Sequence, residues 1–339
     1  MTLAARTEAL LMRHWWQPAP TGLAWLLWPL SMLYLGLLAL QRHRPAAAQP
    51  LPVPVLVVGN HVVGGAGKTP TVIAVVHGLQ QAGKHPGVIS RGHGRLTDTV
   101  QAVGPGGTAA SVGDEPLLIQ RRCGVPVWVG PNRAAAGLAL CQAHPEVDVL
   151  VSDDGLQHHS LPRSAELRLF DERGAGNGLL LPAGPLRDPL PTVVPPWARV
   201  LYTAGHASTA LPGVLARRHI HTAWPLQAWL AQDASRSQPL QSLRGRPLVA
   251  AAGMAAPEKF FGMLEALGLT LHRLPLPDHH PYTTLPWPSG TPDVITTEKD
   301  AVKLDPAQLG STRVWVVPLD LQLPAGLVAD LIALLFPPP

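Results

Sequence analysis

Residues 55–70 read VLVVGNHVVGGAGKTP, and this stretch decides the fold. Val55, Leu56, Val57 and Val58 make the short, Val-rich apolar run of a buried strand. A glycine-rich loop follows, and 71–79 (TVIAVVHGL) then carries apolar residues at helical spacing. Strand, glycine loop and helix in that order form a phosphate cradle. Gly64, Gly65 and Gly67 let backbone amides turn inward around phosphate oxygens, Lys68 reaches the β and γ phosphates, and Thr69 offers a hydroxyl to Mg²⁺. Val62, Val63, Gly64, Gly65, Ala66, Gly67, Lys68 and Thr69 are thus the expected nucleotide-binding segment, with ATP as the implied donor. The strict loop pattern places Gly six residues before the lysine, where this chain has Val62. The rival reading is a glycine-rich turn with a solvated lysine. One lysine beside three glycines, in a chain with only five lysines, argues against it.

Downstream, 147–155 (VDVLVSDDG) supplies a second apolar strand whose carboxylates emerge at its carboxyl end, where phosphates bind in open α/β sheets. Asp153 or Asp154 can hold Mg²⁺ directly or through water; an Asp-Gly turn with two solvated acids is the alternative. Gln157 and His158 follow and can orient substrate or a bound water. Strands alternate with Ala/Leu-rich helices over 50–210, which predicts a P-loop NTPase-like α/β domain with a mainly parallel sheet and helices on both faces. A smaller second α/β domain spans 211–332, with strands at 247–252, 293–296 and 314–318 and a helix at 257–267. In the TEKD run after the middle strand, Lys299 reads better as a local ion-pair partner than as a substrate contact.

The whole chain, 339 residues with 46% hydrophobic and 14% charged, has enough apolar material for two cores and too little charge for a disordered chain. A net charge of +4 without a dense basic stripe favours anionic partners and gives no support to nucleic-acid binding. Cys123 and Cys141 alone cannot build a disulfide framework or an ordinary structural zinc site. Before the first strand, 22–40 (GLAWLLWPLSMLYLGLLAL) is uncharged for nineteen residues, close to the roughly 20 needed to cross a bilayer. Pro29 near its middle keeps a bent helix in one leaflet in competition with a straight span. Basic residues flank it on both sides (Arg6, Arg13, Arg42, Arg44), so charge asymmetry does not orient it. A cleaved signal peptide fits poorly, because arginines separate the apolar run from the alanines at 46–48. Residues 1–44 are therefore expected to be a membrane-associated helical segment.

Several further blocks accompany these: SRGHGR at 90–95, GDEP at 113–116, VGPNRA at 129–134, DDGLQH at 153–158, LLPAGPLRDP at 180–189, PDHHPY at 277–282 and TEKDAVKL at 297–304. In this order and over nearly the whole chain, they resemble the tetraacyldisaccharide 4'-kinase family. The resemblance implies transfer of the γ-phosphoryl group of ATP to the 4'-hydroxyl of tetraacyldisaccharide 1-phosphate, forming lipid IVA. It further implies an anionic acylated disaccharide lipid as substrate and the bacterial inner-membrane surface as partner. The catalytic domains then face the cytoplasm. No obligate protein partner is evident.

On the same resemblance, Lys68, Asp153 and Asp154 serve the phosphate and metal site, while Asp114 with His279 of the PDHH block lies near the acceptor hydroxyl. His280 reads as a neighbour. Glu115 is either a metal ligand or a salt-bridge partner. Arg91, Arg95, Arg133 and Arg187 can pair bidentately with phosphates of ATP or of the lipid. Asn177, Pro182, Gly184 and Pro185 shape the loop presenting Arg187. Three positions depart from the family pattern: Val62 where Ser or Thr is common, His93 where Tyr is usual, and Ser164 where Asp commonly follows the arginine. If GDEP belongs to the first domain and PDHH to the second, closure would assemble the active site and exclude water that would otherwise hydrolyse ATP. A GTPase is disfavoured by the absence of a guanine-reading NKxD segment, and a membrane-tethered regulator would leave GDEP and PDHH without a chemical purpose.

Overall fold

The computed structural model describes residues 10–43, 50–104 and 106–338; residues 1–9 and 44–49 of the expected amino-terminal segment and linker lie outside the described residues. In chain order the main elements are α1 (Gly22–His43), β1 (Val55–Asn60), α2 (Lys68–Gln81), β2 (Pro86–Ser90), α3 (Asp114–Cys123), α4 (Arg133–Ala143) and β3 (Val149–Asp153). Then come β4 (Ala165–Phe170), β5 (Ala198–Tyr202), β6 (Val214–Leu215), β7 (Thr222–Pro225), β8 (Gln238–Pro239), β9 (Leu248–Ala252), α5 (Pro257–Ala266) and β10 (Leu271–Pro275). The series ends with β11 (Asp293–Thr297), α6 (Glu298–Ala301), β12 (Arg313–Val317) and α7 (Leu327–Leu335).

These elements divide into two compact units. The first comprises residues 1–91, 132–217 and 323–339, the second 92–131 and 218–322. The sequence segmentation differs in two places: 92–131 was expected with the nucleotide-binding domain, and the end of the chain with the smaller one. Long-range partners account for both. In α3, Arg122 pairs with Glu298 and Asp320, each at 2.6 Å, and Arg121 lies over the ring of Trp229, so this helix belongs with the second unit. In α7, Val328 sits so close to Gly78 of α2 that a Cβ added there would lie 2.6 Å from it, and Leu327, Leu331 and Leu335 are buried in the first unit.

Within the first unit the strands run β2–β3–β1–β4–β5–β6, every pair parallel. β1 and β3 are buried along their whole length, as strands covered on both faces must be. The register sets Val58 beside Asp153 and Ile89 beside Ser152, which brings Asn60, Ser90 and Asp153 to the same carboxyl edge. The second unit's sheet runs β8–β7–β12–β11–β9–β10, parallel except around β7. Phe261, Leu264 and Ile295 fill its core without exposure, each contributing about 1.5–3 kcal/mol by burial.

α1 continues as a helix through Pro29 and carries a mean hydropathy of 1.9 over Gly22–Gln41, yet only 11% of that stretch is buried. Leu26, Leu33, Leu37 and Leu40 are exposed, while Ala24 and Ser31 are buried against the first unit. A core helix of a water-soluble domain would show the reverse balance.

Candidate active site

Two clusters of functional side chains form, one in each unit. In the first, α2 starts at Lys68 directly after Gly67, whose φ of +80° is left-handed, and no side chain caps this helix. Its first-turn amides and helix dipole are therefore available to an anion. Gly64 also has a positive φ, +86°, which a side chain would strain. Lys68 Nζ donates to Asn60 Oδ1 at 3.2 Å and lies 3.7 Å from Asp154 Oδ2. Arg187 donates to both carboxylate oxygens of Asp154, at 3.0 and 3.3 Å, to the backbone oxygen of Asn60 at 2.9 Å, and to the Asn60 side chain. Burial pushes the Asp154 carboxyl up, but Lys68 and Arg187, with Arg133 beyond, outweigh it and hold the group below the usual carboxylate range. Asp153, on the neighbouring strand end, accepts from Ser90 Oγ at 3.1 Å, and Thr69 is buried in the first turn of α2.

The loop itself is braced from outside. Val63 N–H donates to Pro185 at 2.9 Å, Arg187 N–H to His61 at 2.7 Å, and Arg173 to the Gly65 carbonyl at 2.9 Å. Val62 is fully buried against Leu180 and Leu186, which explains an apolar residue there: its side chain fills a core while the backbone pairs with Leu186. Gln157 donates to the Asn60 carbonyl at 3.1 Å. Burial, then Arg133 and Arg163, lower the His158 pKa to about 4, so its ring is neutral at physiological pH. Arg133 is buried at the start of α4, and Arg91 is exposed just after β2.

In the second unit, Gly113 at φ +93° precedes α3, and Asp114 is its buried first residue. Asp114 meets His279 Nδ1 at 2.9 and 3.1 Å, and Lys303 Nζ lies 3.7 Å from its Oδ2. Lys299 Nζ donates to Glu115 at 3.1 Å, to Asp278 at 3.0 Å and to His279 Nε2 at 3.3 Å. With Nε2 accepting from Lys299, Nδ1 carries the proton that Asp114 accepts. The hydrogen bond to Asp114 raises the His279 pKa against the opposing effect of burial. Burial alone would raise Asp114, but His279 and Lys299 outweigh it and hold this carboxyl low. His93 brings its ring centroid within 5.2 Å of that of His279, Arg95 donates to the Thr99 carbonyl at 2.6 Å, and His280 accepts from Tyr282 N–H at 3.2 Å.

Asp114 and His279 thus meet within one unit, and their pairing does not depend on domain closure, contrary to the expectation drawn from motif order. Glu115 is engaged by Lys299. The donors available for a metal in the first unit are Thr69, Asp153 and Asp154, and no group of three or more His, Cys, Asp or Glu residues forms a metal cage among the described residues. That sparse donor set suits Mg²⁺, which keeps several waters and takes one or two carboxylates together with phosphate oxygens. Sequence reasoning did not assign Asn60, Ser90, Arg173 or Lys303. Asn60 stood inside the quoted loop motif, but its part as the shared acceptor for Lys68 and Arg187 needs the 127-residue return of the chain to Arg187.

A family model described as LpxK, tetraacyldisaccharide-1-P 4'-kinase, matches residues 23–335. The chain is 51% identical to the tetraacyldisaccharide 4'-kinase of Leptothrix cholodnii, over 98% of this chain and 96% of that protein. It is 49% identical to that of Methylibium petroleiphilum, over 93% and 90%, and 46% identical to that of Dechloromonas aromatica, over 95% and 96%. A crystal structure of LpxK from Aquifex aeolicus in complex with ATP superimposes with a TM-score of 0.73 at 24% identity, covering 93% of this chain and all of that one, which shows a shared fold.

Proposed function

Because the chain belongs to the tetraacyldisaccharide-1-P 4'-kinase family, matched over residues 23–335, we propose how its two side-chain clusters divide the family's reaction. The reaction is ATP-dependent phosphorylation of tetraacyldisaccharide 1-phosphate on its 4'-hydroxyl to give lipid IVA. The hydroxyl oxygen forms a bond to the γ-phosphorus, the bond to the β,γ-bridging oxygen breaks, ADP leaves and the hydroxyl proton must be accepted.

The first unit binds the nucleotide. Amides of the loop 62–69 and the uncapped start of α2 cradle the β and γ phosphates, and Lys68 follows the charge that moves toward the leaving oxygen. Thr69 with Asp153 or Asp154 would hold Mg²⁺, which when bound neutralises phosphate charge and orients the γ-phosphoryl group. Arg187 keeps Asp154 ionised and aimed.

The second unit supplies the base. The Asp114–His279 pair accepts the hydroxyl proton: a carboxylate held ionised, bonded to an imidazole whose pKa is raised, has both the acceptor and the proton-sharing partner that this step needs. Arg91 and Arg133 are assigned to anionic groups of ATP or the lipid's 1-phosphate, and Gln157 and His158 to orientation. The largely exposed apolar face of α1 associates the enzyme with membrane, and the proposal places it on the cytoplasmic face of the bacterial inner membrane, where the lipid acceptor is presented.

The observation that carries this reading is the Lys68–Asp154–Arg187 constellation at the carboxyl edge of adjacent parallel strands. Mass spectrometry tests it: ATP should add one phosphate to tetraacyldisaccharide 1-phosphate with the native chain and to far less with Lys68→Met. Equal turnover by the two proteins, or equal phosphorylation of the unacylated disaccharide, would sink it.

A further inference from the structure

The described part of the amino-terminal segment 1–44 reaches the phosphate-binding loop by two separate routes, one from α1 and one from Trp16 before it. On the first, Ser31 of α1, fully buried, donates to the Leu180 carbonyl at 2.9 Å and accepts from Ala183 N–H at 3.1 Å. One turn on, the Tyr34 hydroxyl donates to the Arg187 carbonyl at 2.8 Å. The same 180–187 stretch holds the loop through Pro185 to Val63 and Leu186 to Val62, and its Arg187 side chain holds Asn60 and Asp154. On the second route, the Trp16 ring lies 4.1 Å from the Arg173 guanidinium, and Arg173 donates to Gly65 O while paired with Asp171. Anchoring alone requires none of these contacts, since an apolar helix partitions by its exposed face.

We infer that Tyr34 and Trp16 are positioning residues for the phosphate-binding loop, so that the membrane-associated segment also sets the enzyme's grip on the phosphates of ATP. This rests on the reading of 62–69 as the ATP loop. Tyr34 acts on the carbonyl of the residue whose side chain fixes Asp154 and Asn60. Trp16 confines the guanidinium that holds the loop's Gly65 carbonyl. A loop that must present several amides to one anion loses affinity when its resting geometry broadens, because each state outside the binding-competent one reduces the apparent affinity in proportion.

The test measures equilibrium binding of a non-hydrolysable ATP analogue, KM for ATP and kcat, vesicle co-sedimentation and thermal unfolding on the full chain. Tyr34→Phe removes one hydrogen bond and should weaken analogue binding and raise KM for ATP about fivefold, equivalent to about 1 kcal/mol. Trp16→Leu should act in the same direction, with Trp16→Phe restoring most of the loss. Vesicle binding should stay at the native level in all three. As a control, Leu33→Ala on the exposed face should weaken vesicle binding without changing analogue affinity. Unchanged analogue affinity in both Tyr34→Phe and Trp16→Leu would overturn the inference, as would losses that merely track vesicle binding or melting temperature. Lys68→Met separates the two readings: if it leaves analogue affinity intact, the loop assignment itself fails; if it abolishes binding while Tyr34→Phe and Trp16→Leu do not, only the positioning inference fails.

Discussion

Single side chains carry the chemistry, and each can be interrogated alone. Asp114→Asn keeps the shape but removes the charge facing His279, so kcat should fall at least about 100-fold while binding of an ATP analogue stays within about twofold. A kcat near native would remove Asp114 from proton transfer. His61 offers a different handle. It is buried beside Phe170, and neither ring nitrogen meets a hydrogen-bonding partner among the described residues. Burial, then Arg168, lower its pKa from 6.5 to about 4, with Asp188 and Glu166 opposing. Between those values the unfolded chain binds more protons than the folded one, so stability is full above pH 6.5 and falls as pH drops toward 4. The loss reaches up to about 3 kcal/mol. Denaturant unfolding at pH 7.5 and pH 5 should show this decline, and His61→Phe should flatten part of it. The neutral state of this imidazole was not legible in the sequence, because it depends on strands that meet only in the fold.

Elements were more legible than their partners. The strand at 55–58, the helix after the loop and the three strands expected at 247–252, 293–296 and 314–318 form within three residues of where the sequence places them, because local burial patterns follow from side-chain spacing. β7 and β8 went unread because they are four and two residues long, and β10 because His272 and Arg273 interrupt its apolar residues. Gly113 shows how an element's start can be decisive: a Cβ there would meet Gly92 Cα at 3.0 Å, at a φ already unfavourable to side chains. Gly113→Ala should cost about 2 kcal/mol of stability and lower kcat by displacing Asp114 at the head of α3. Calorimetry together with steady-state kinetics checks both, and an unchanged melting temperature would show that the turn tolerates a side chain.

For the whole molecule, the exposed leucines of α1 set where it works. Replacing Leu26 and Leu37 by Asp removes two apolar side chains worth about 1.5–3 kcal/mol each on full burial, so binding to anionic vesicles should weaken more than tenfold in flotation assays. Undiminished flotation would assign membrane association to another surface. What the sequence hid at this scale was connectivity: motif order placed GDEP with the nucleotide domain, whereas Arg122 and Arg121 tie that helix to residues more than a hundred positions later. The chain passes four times between the units. Strand β1 opens the sheet of the first unit at Val55, yet α7, which packs Val328 against Gly78 and is followed by Phe336 against Lys84, comes after all of the second unit in the chain. During synthesis the helix bearing Lys68 therefore lacks its cover until the other unit has been made, whereas the apolar segment has long since emerged. Chain order therefore puts the exposed apolar helix first and the packing partner of the Lys68 helix last, so truncation before Leu327 would leave α1 intact while uncovering α2.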